Sequence, residues 1–217
     1  MDFQDIVLNG IIRLLVLVPA LTFHEFAHAY FAYRAGDPTP AVHGRVTLNP
    51  LAHLDPLGTL MLMFGPIGWA KPVPINPTNF RYPSRDIIVT SAAGPVSNLL
   101  QGTFWGIILR VLGTWYPGAI FGQDGLVSTF LVWMVIVNFS LALFNLIPLG
   151  VLDGHHIMEY MLPYKAAMKY RAFNRYGMAI LIGLILMPMV GGPNVFFHVV
   201  VIPALSLGKF VTGINLI

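Results

Sequence analysis

Of the 217 residues, 56% are hydrophobic and only 10% are charged, against about a quarter charged in an ordinary soluble domain. The composition therefore excludes a soluble enzyme, and the formal charge of +3 rests on too few residues to imply a nucleic-acid partner; it reads as loop charge that orients a protein in a bilayer. Cysteine is absent, so disulfides are excluded and any metal must be held by His, Asp or Glu.

At about 20 residues per crossing, the length accommodates one membrane-embedded domain over residues 1–217, with roughly five or six transmembrane segments and no separate soluble domain. The first apolar segment covers residues 6–34 and stops at Gly36 and Asp37. It is longer than a signal-peptide core and lacks a convincing cleavage site, so it reads as a retained helix. Arg13 inside it would snorkel toward an interface or a cavity. Residues 37–50 read as loop, with "GRVTL" a candidate short strand that could form part of a β-hairpin. Residues 51–70 are apolar but interrupted by Pro56, Gly58, Gly65, Pro66 and Gly68; residues 71–85 are polar and proline-rich. Firmer spans follow at 86–113, 126–147 and 176–190, with a basic surface helix before the last; residues 195–217 are a weaker candidate, broken by Pro203, Gly208 and Gly213.

The first span carries "TFHEFAHAY", and His24, Glu25 and His28 form H-E-x-x-H. On a helix, positions i and i+4 lie one turn apart on one face, so both imidazoles can reach one metal ion. The carboxylate beside them can accept a proton from a metal-activated water. Two packing histidines and a chance glutamate are the alternative, but the chain has only two glutamates, Glu25 and Glu159. An ionisable cluster inside an apolar segment is also costly and marks function. A catalytic zinc takes three protein ligands, so a third must come from elsewhere: His53, Asp55, Asp153, His155, His156 and Glu159 are the candidates. Asp153 stands out, because Pro148 and Gly150 interrupt the helix before it and could turn its carboxylate inward.

Three motifs together, H-E-x-x-H, "AAGPVSN" and "NLIPLGVLDG", resemble the site-2 protease family of intramembrane zinc metalloproteases. The resemblance implies a catalytic core over about residues 6–155, accessory helices over 156–217, and one zinc ion held by His24, His28 and Asp153. It implies Glu25 as the catalytic base, with Asn98 and Asn145 orienting substrate or stabilising an oxyanion. It also implies a substrate that is itself a membrane protein with a transmembrane helix. "NPLAHLDPLG" resembles a segment of a compact subgroup, which puts His53 and Asp55 near the site or at a helix cap. Gly150 departs from the proline of many relatives, which would loosen the aspartate loop; His155 and His156 read as a supporting pair behind the ligands, a competing ligand or surface residues, the last being favoured. The PDZ and CBS domains of many relatives have no room here.

This ligand set demands that the first span and residues 126–147 run parallel, with residues 86–113 crossing between them and residues 51–70 re-entering rather than crossing. Re-entry puts Arg34, Arg45, Lys71, Arg81, Arg85, Lys165, Lys169, Arg171 and Arg175 on one face against Arg110, nine to one; a crossing would divide them seven to three. The positive-inside rule favours re-entry, in a cell membrane, with the site nearer the cytoplasm. The re-entrant segment and "RVTL" would then offer an edge to an extended substrate. Rival readings are a divalent metal transporter or channel using the His/Asp cluster, a membrane metallohydrolase trimming prenylated C-termini, and a structural membrane protein.

Overall fold

The computed structural model describes residues 3–64, 68–120 and 125–216. Helix α1 (Phe3–Ala35) leads into the short α2 (Thr39–Val42), a 3-10 turn at Pro50–Ala52 and α3 (Pro56–Phe64). A second 3-10 turn at Pro77–Asn79 precedes α4 (Pro83–Trp115), α5 (Pro117–Ile120) and α6 (Leu126–Asn145). The chain ends with α7 (Asp153–Met161), α8 (Tyr164–Asn174), α9 (Gly177–Leu186) with a 3-10 turn Met187–Val190, and a π turn Phe197–Val201 running into α10 (Ile202–Thr212). The protein is all-α, and no strand occurs among the described residues.

Helices α1, α4 and α6 form the core. Asn98 of α4 meets Ala20 and His24 of α1, and Thr90, two turns earlier in α4, meets His28, so the two helices run antiparallel. Asn98 also bonds Asn138 of α6, whereas Leu109, later in α4, packs with Leu131, earlier in α6. That pair is antiparallel too, so α1 and α6 are parallel, as the ligand set demands. Close approach depends on small residues: a Cβ on Gly102 would lie 2.9 Å from the Phe139 ring, and one on Gly106 2.7 Å from Val211.

Among the described residues two helical stretches, Gly10–Ala35 and Leu126–Asn145, are long and apolar enough to cross a membrane, and α8 with α9 and its 3-10 turn make a third if their 54° bend lies within one span. This is fewer than the five or six expected, for identifiable reasons. The expected span at 176–190 ends as a ten-residue helix before Pro188, and that at 195–217 is split by a π turn before Pro203. Helix α4 has the length, but its hydropathy is lowered by residues that point inward: Thr90, Ser91, Asn98 and three glycines are buried. Its outward stripe, Val89, Val96, Leu100, Phe104, Ile107 and Val111, is exposed. A helix with apolar residues outside and polar ones inside suits a lipid surround.

Residues 65–67 of the interrupted segment lie outside the described residues. The flanking chain leaves and returns at one place: Leu54 and Ala70 form an isolated antiparallel bridge, and the Lys71 amide donates to the His53 carbonyl at 2.8 Å. Between them α3, at 9 residues, is about 13 Å long, under half of a hydrocarbon core of about 30 Å. The expected strand over 44–48 does not form. Instead of a strand ladder, the buried Arg45 guanidinium donates to the Pro72 carbonyl at 2.9 Å and to the Lys71 carbonyl.

Candidate metal centre

His24 and His28 sit one turn apart in α1, and both are buried. Asp153, the first residue of α7, reaches them from just beyond the C-terminal end of α6. The His24 and His28 Nε2 atoms are 3.1 Å apart; Asp153 Oδ2 is 3.4 Å from the first and Oδ1 3.3 Å from the second. Ligand atoms of the three residues all lie within 4.8 Å of one another.

The opposite ring nitrogens explain why both Nε2 atoms are available. His24 Nδ1 donates to Asn98 Oδ1 at 2.6 Å, and His28 Nδ1 donates to the Thr90 carbonyl at 2.8 Å. Each bond holds the tautomer whose Nε2 carries a lone pair and no proton, the arrangement typical of metal-bound histidine. Two such lone pairs facing each other beside a carboxylate are mutually repulsive without a cation. Two nitrogens bound to a tetrahedral zinc at 2.0–2.1 Å lie about 3.3 Å apart, close to the separation here. The donor set therefore fits zinc. Burial opposes the charge on Asp153, a cost that a cation held by the three residues would offset. Its place at the start of α7 favours that charge as well.

A glycine makes the room. A Cβ on Gly94, in "AAGPVSN", would lie 2.3 Å from His28 Nε2 and 2.6 Å from His24 Cε1. Sequence reasoning picked out the asparagine of this motif and passed over its glycine, because the requirement is imposed by a helix 66 positions away. Gly154 acts likewise: a Cβ there would meet the Leu146 carbonyl oxygen at 2.3 Å, so α7 can start directly against the end of α6.

A cavity of about 370 Å³ opens onto the cluster, lined by His24, Glu25, His28 and Asp153 on one side and by Pro72, Val73 and Ile75 on another. Glu25 is half-buried. Asn145, the last residue of α6, lines the cavity while its Nδ2 donates to the Leu141 carbonyl. Asn98 is placed differently, fully buried behind His24, with Nδ2 donating to Ala20 O and Asn138 Oδ1. His53 is also buried away from the cavity, with Nε2 donating to the Thr47 carbonyl at 2.8 Å. Burial pushes its imidazole down, the Thr47 bond opposes this, and the charge of Arg45 pushes it further down. Asp55 caps α3 through the Gly58 amide. His156 is exposed at the cavity rim, whereas His155 turns away to Glu159 and Tyr170.

Comparison with known proteins agrees with this geometry. The family model described as peptidase family M50 matches residues 119–188, which include Asp153. A Bacillus subtilis protein named "Putative zinc metalloprotease YwhC" is 40% identical over 177 residues, covering 81% of this chain and 80% of that protein. Proteins named "Putative zinc metalloprotease Rip2" from Mycolicibacterium smegmatis and Mycobacterium tuberculosis are 28% and 27% identical, over 78% and 80% of this chain and 64% and 66% of theirs. No solved structure matches the chain. With a relative this similar along most of both chains, and with the three motifs converging on the His24, His28 and Asp153 cluster, the protein belongs to peptidase family M50, the family of the site-2 proteases.

Proposed function

We propose that this protein is an intramembrane zinc metalloprotease that hydrolyses peptide bonds within or beside transmembrane helices of membrane proteins. His24, His28 and Asp153 hold one zinc ion, and Glu25 is the general base. The observation that carries this reading is the convergence of two Nε2 lone pairs and one carboxylate beside Glu25, at the wall of a cavity between core helices.

Bound there, zinc supplies a Lewis acid that polarises the scissile carbonyl and lowers the pKa of water. Glu25 takes the proton of the attacking water on its carboxylate and returns it to the leaving nitrogen. Asn145 has a second amide hydrogen and Oδ1 to offer the substrate backbone. Asn98 acts through His24, by fixing its tautomer. Pro72, Val73 and Ile75 also line the cavity, and the stretch that carries them offers an edge, with prolines at the alternate positions 72 and 74. That edge, gripped from behind by Arg45, is the part of this region best placed to hold an unwound substrate by strand addition.

The whole chain acts as one membrane-embedded domain, with its core over residues 6–155 and accessory helices over 156–217. Helix α4, at 33 residues and about 50 Å, is a further crossing, and residues 51–70 re-enter. The basic loops then place the site nearer the cytoplasmic face of a cell membrane. This answers why a water-using site sits in an apolar helix: its substrate is in the bilayer.

The test uses detergent-purified protein and a panel of single-span membrane proteins. Wild type should carry about one zinc per chain and cleave; Glu25→Gln should keep zinc and lose cleavage by at least about 10²-fold. Undiminished cleavage by Glu25→Gln would overturn the assignment. The divalent-metal transporter is not favoured, since the relatives are named metalloproteases; zinc flux into proteoliposomes that survives Glu25→Gln, with no cleavage by wild type, would revive it.

A further inference from the structure

Asp153 opens α7, which packs on α4, and the turn that leads into it is bonded by α8 as well. After α6 the chain passes through Pro148, Leu149 and Gly150, and Gly150 has φ +66°, in the left-handed region. Proline cannot take that angle and has no N–H, and here the N–H is in use. The Gly150 amide donates to Asn174 Oδ1 at 2.9 Å, and Asn174 Nδ2 donates back to the Gly150 carbonyl at 3.0 Å. One side-chain amide thus occupies both backbone groups of one residue, as a neighbouring strand would. One turn earlier on the same helix face, Tyr170 Oη donates to the Pro148 carbonyl at 2.9 Å. The approach is close because Gly177 has no side chain: a Cβ there would lie 2.4 Å from the Gly150 nitrogen and 2.3 Å from Asn174 Oδ1.

We infer that Asn174 and Tyr170 of α8 are positioning residues for the metal centre: they clamp the Pro148–Gly150 turn and so fix the carboxylate of Asp153 against His24 and His28. The accessory part of the chain is then a working component of the site. The glycine that distinguishes this turn from a proline-containing one is the residue that permits the clamp. The inference rests on the reading of Asp153 as a metal ligand.

The experiment measures zinc affinity of the full-length protein in detergent by chelator competition, beside thermal unfolding of each zinc-stripped variant. Asp153→Asn is the reference. Asn174→Ala, which removes both bonds, should weaken zinc about 10-fold or more, as loss of an outer support of a ligand does. Asn174→Asp keeps the acceptor for the Gly150 amide and should fall between it and wild type. Tyr170→Phe keeps the ring, removes only the hydroxyl, and should weaken zinc by a few-fold; it carries the test if Asn174→Ala does not fold. A purely structural clamp would lower the apo unfolding temperature and leave zinc affinity at the wild-type value, and that result overturns the proposal. If Asp153→Asn itself binds zinc as tightly as wild type, the ligand reading fails and takes the proposal with it. Loss of zinc in Asp153→Asn with none in Asn174→Ala or Tyr170→Phe defeats the clamp alone.

Discussion

Adding one methyl group at Gly94 tests the packing of the metal centre. The new Cβ would sit 2.3 Å from His28 Nε2, 2.6 Å from His24 Cε1 and 2.7 Å from His24 Nε2. It falls about 1 Å short of the 3.4 Å at which ordinary contact begins. Neither imidazole can swing aside freely, because each is tied through Nδ1 to α4 itself, at Asn98 and Thr90. Either α4 must back away from α1 or the ligands must shift by about 1 Å. Overpacking of this kind costs about 1–3 kcal/mol, and a 1 Å displacement of reacting groups costs about 10²-fold in rate. Gly94→Ala should therefore lose zinc affinity and at least about 10²-fold in cleavage, even where enough folded protein is recovered. Gly183→Ala is the control: nothing lies within 4 Å of that site, so the change should be neutral or stabilise α9 by up to about 1 kcal/mol. Zinc content, chelator competition and turnover on a common membrane substrate would be compared at equal folded protein. Wild-type zinc affinity and turnover in Gly94→Ala would show that α1 and α4 do not meet as described, and the site built between them would have to be abandoned.

Other substitutions probe separate supports. Asn98→Ala strands the His24 Nδ1–H and Asn138 Oδ1 in a buried layer, at a cost of about 1–3 kcal/mol. Chelator competition should show zinc affinity reduced about 10–100-fold. Gly150→Ala forces a side chain into the left-handed region at φ +66° without a clash under 3.4 Å; unfolding in detergent should show a loss of about 1–2 kcal/mol, and a loss near zero would mean the turn relaxes. Asp37 is buried, and burial raises its pKa, but bonds from Thr39 Oγ1, the Asn76 amide, Asn79 Nδ2 and the Thr39 amide outweigh it and hold the carboxyl below its ordinary value. Because the folded pKa is depressed, that stabilisation is complete above the ordinary carboxylate value of about 3.9 and fades as pH falls through the folded one. The stability gap between wild type and Asp37→Asn, about 1–3 kcal/mol, should be constant from pH 5 to 8 and narrow in acid; a gap that widens in acid would refute the sign.

How much of the site was legible follows from the range of the interactions. H-E-x-x-H is local: helix geometry puts positions 24 and 28 on one face whatever surrounds them, and the structure has them there. Helix boundaries in the core were legible for a similar reason, since 6–34, 86–113 and 126–147 were expected and Phe3–Ala35, Pro83–Trp115 and Leu126–Asn145 are observed. Where prolines sit in apolar runs, as at Pro188 and Pro203, composition alone overstated the spans, because a run can be apolar without being one helix. Asn98 could be singled out as a polar residue in an apolar helix, but its partner could not: whether it faces substrate or His24 depends on how α4 is rotated against α1.

The amino-acid sequence by itself determined the class of protein, the metal chemistry and two residues of the cluster that could hold the ion, because bulk hydropathy, residue type and one helical turn act over distances the chain specifies directly. Tertiary structure alone decided the rest. Asp153 meets His28 across 125 positions only because α1 and α6 run parallel with α4 between them. Gly94 and Asn174 matter only because packing brings another element against them, the imidazoles onto the space a Cβ would fill at Gly94 and the Gly150 amide onto Asn174. Those are contacts between residues distant in the chain, and no spacing along it encodes them.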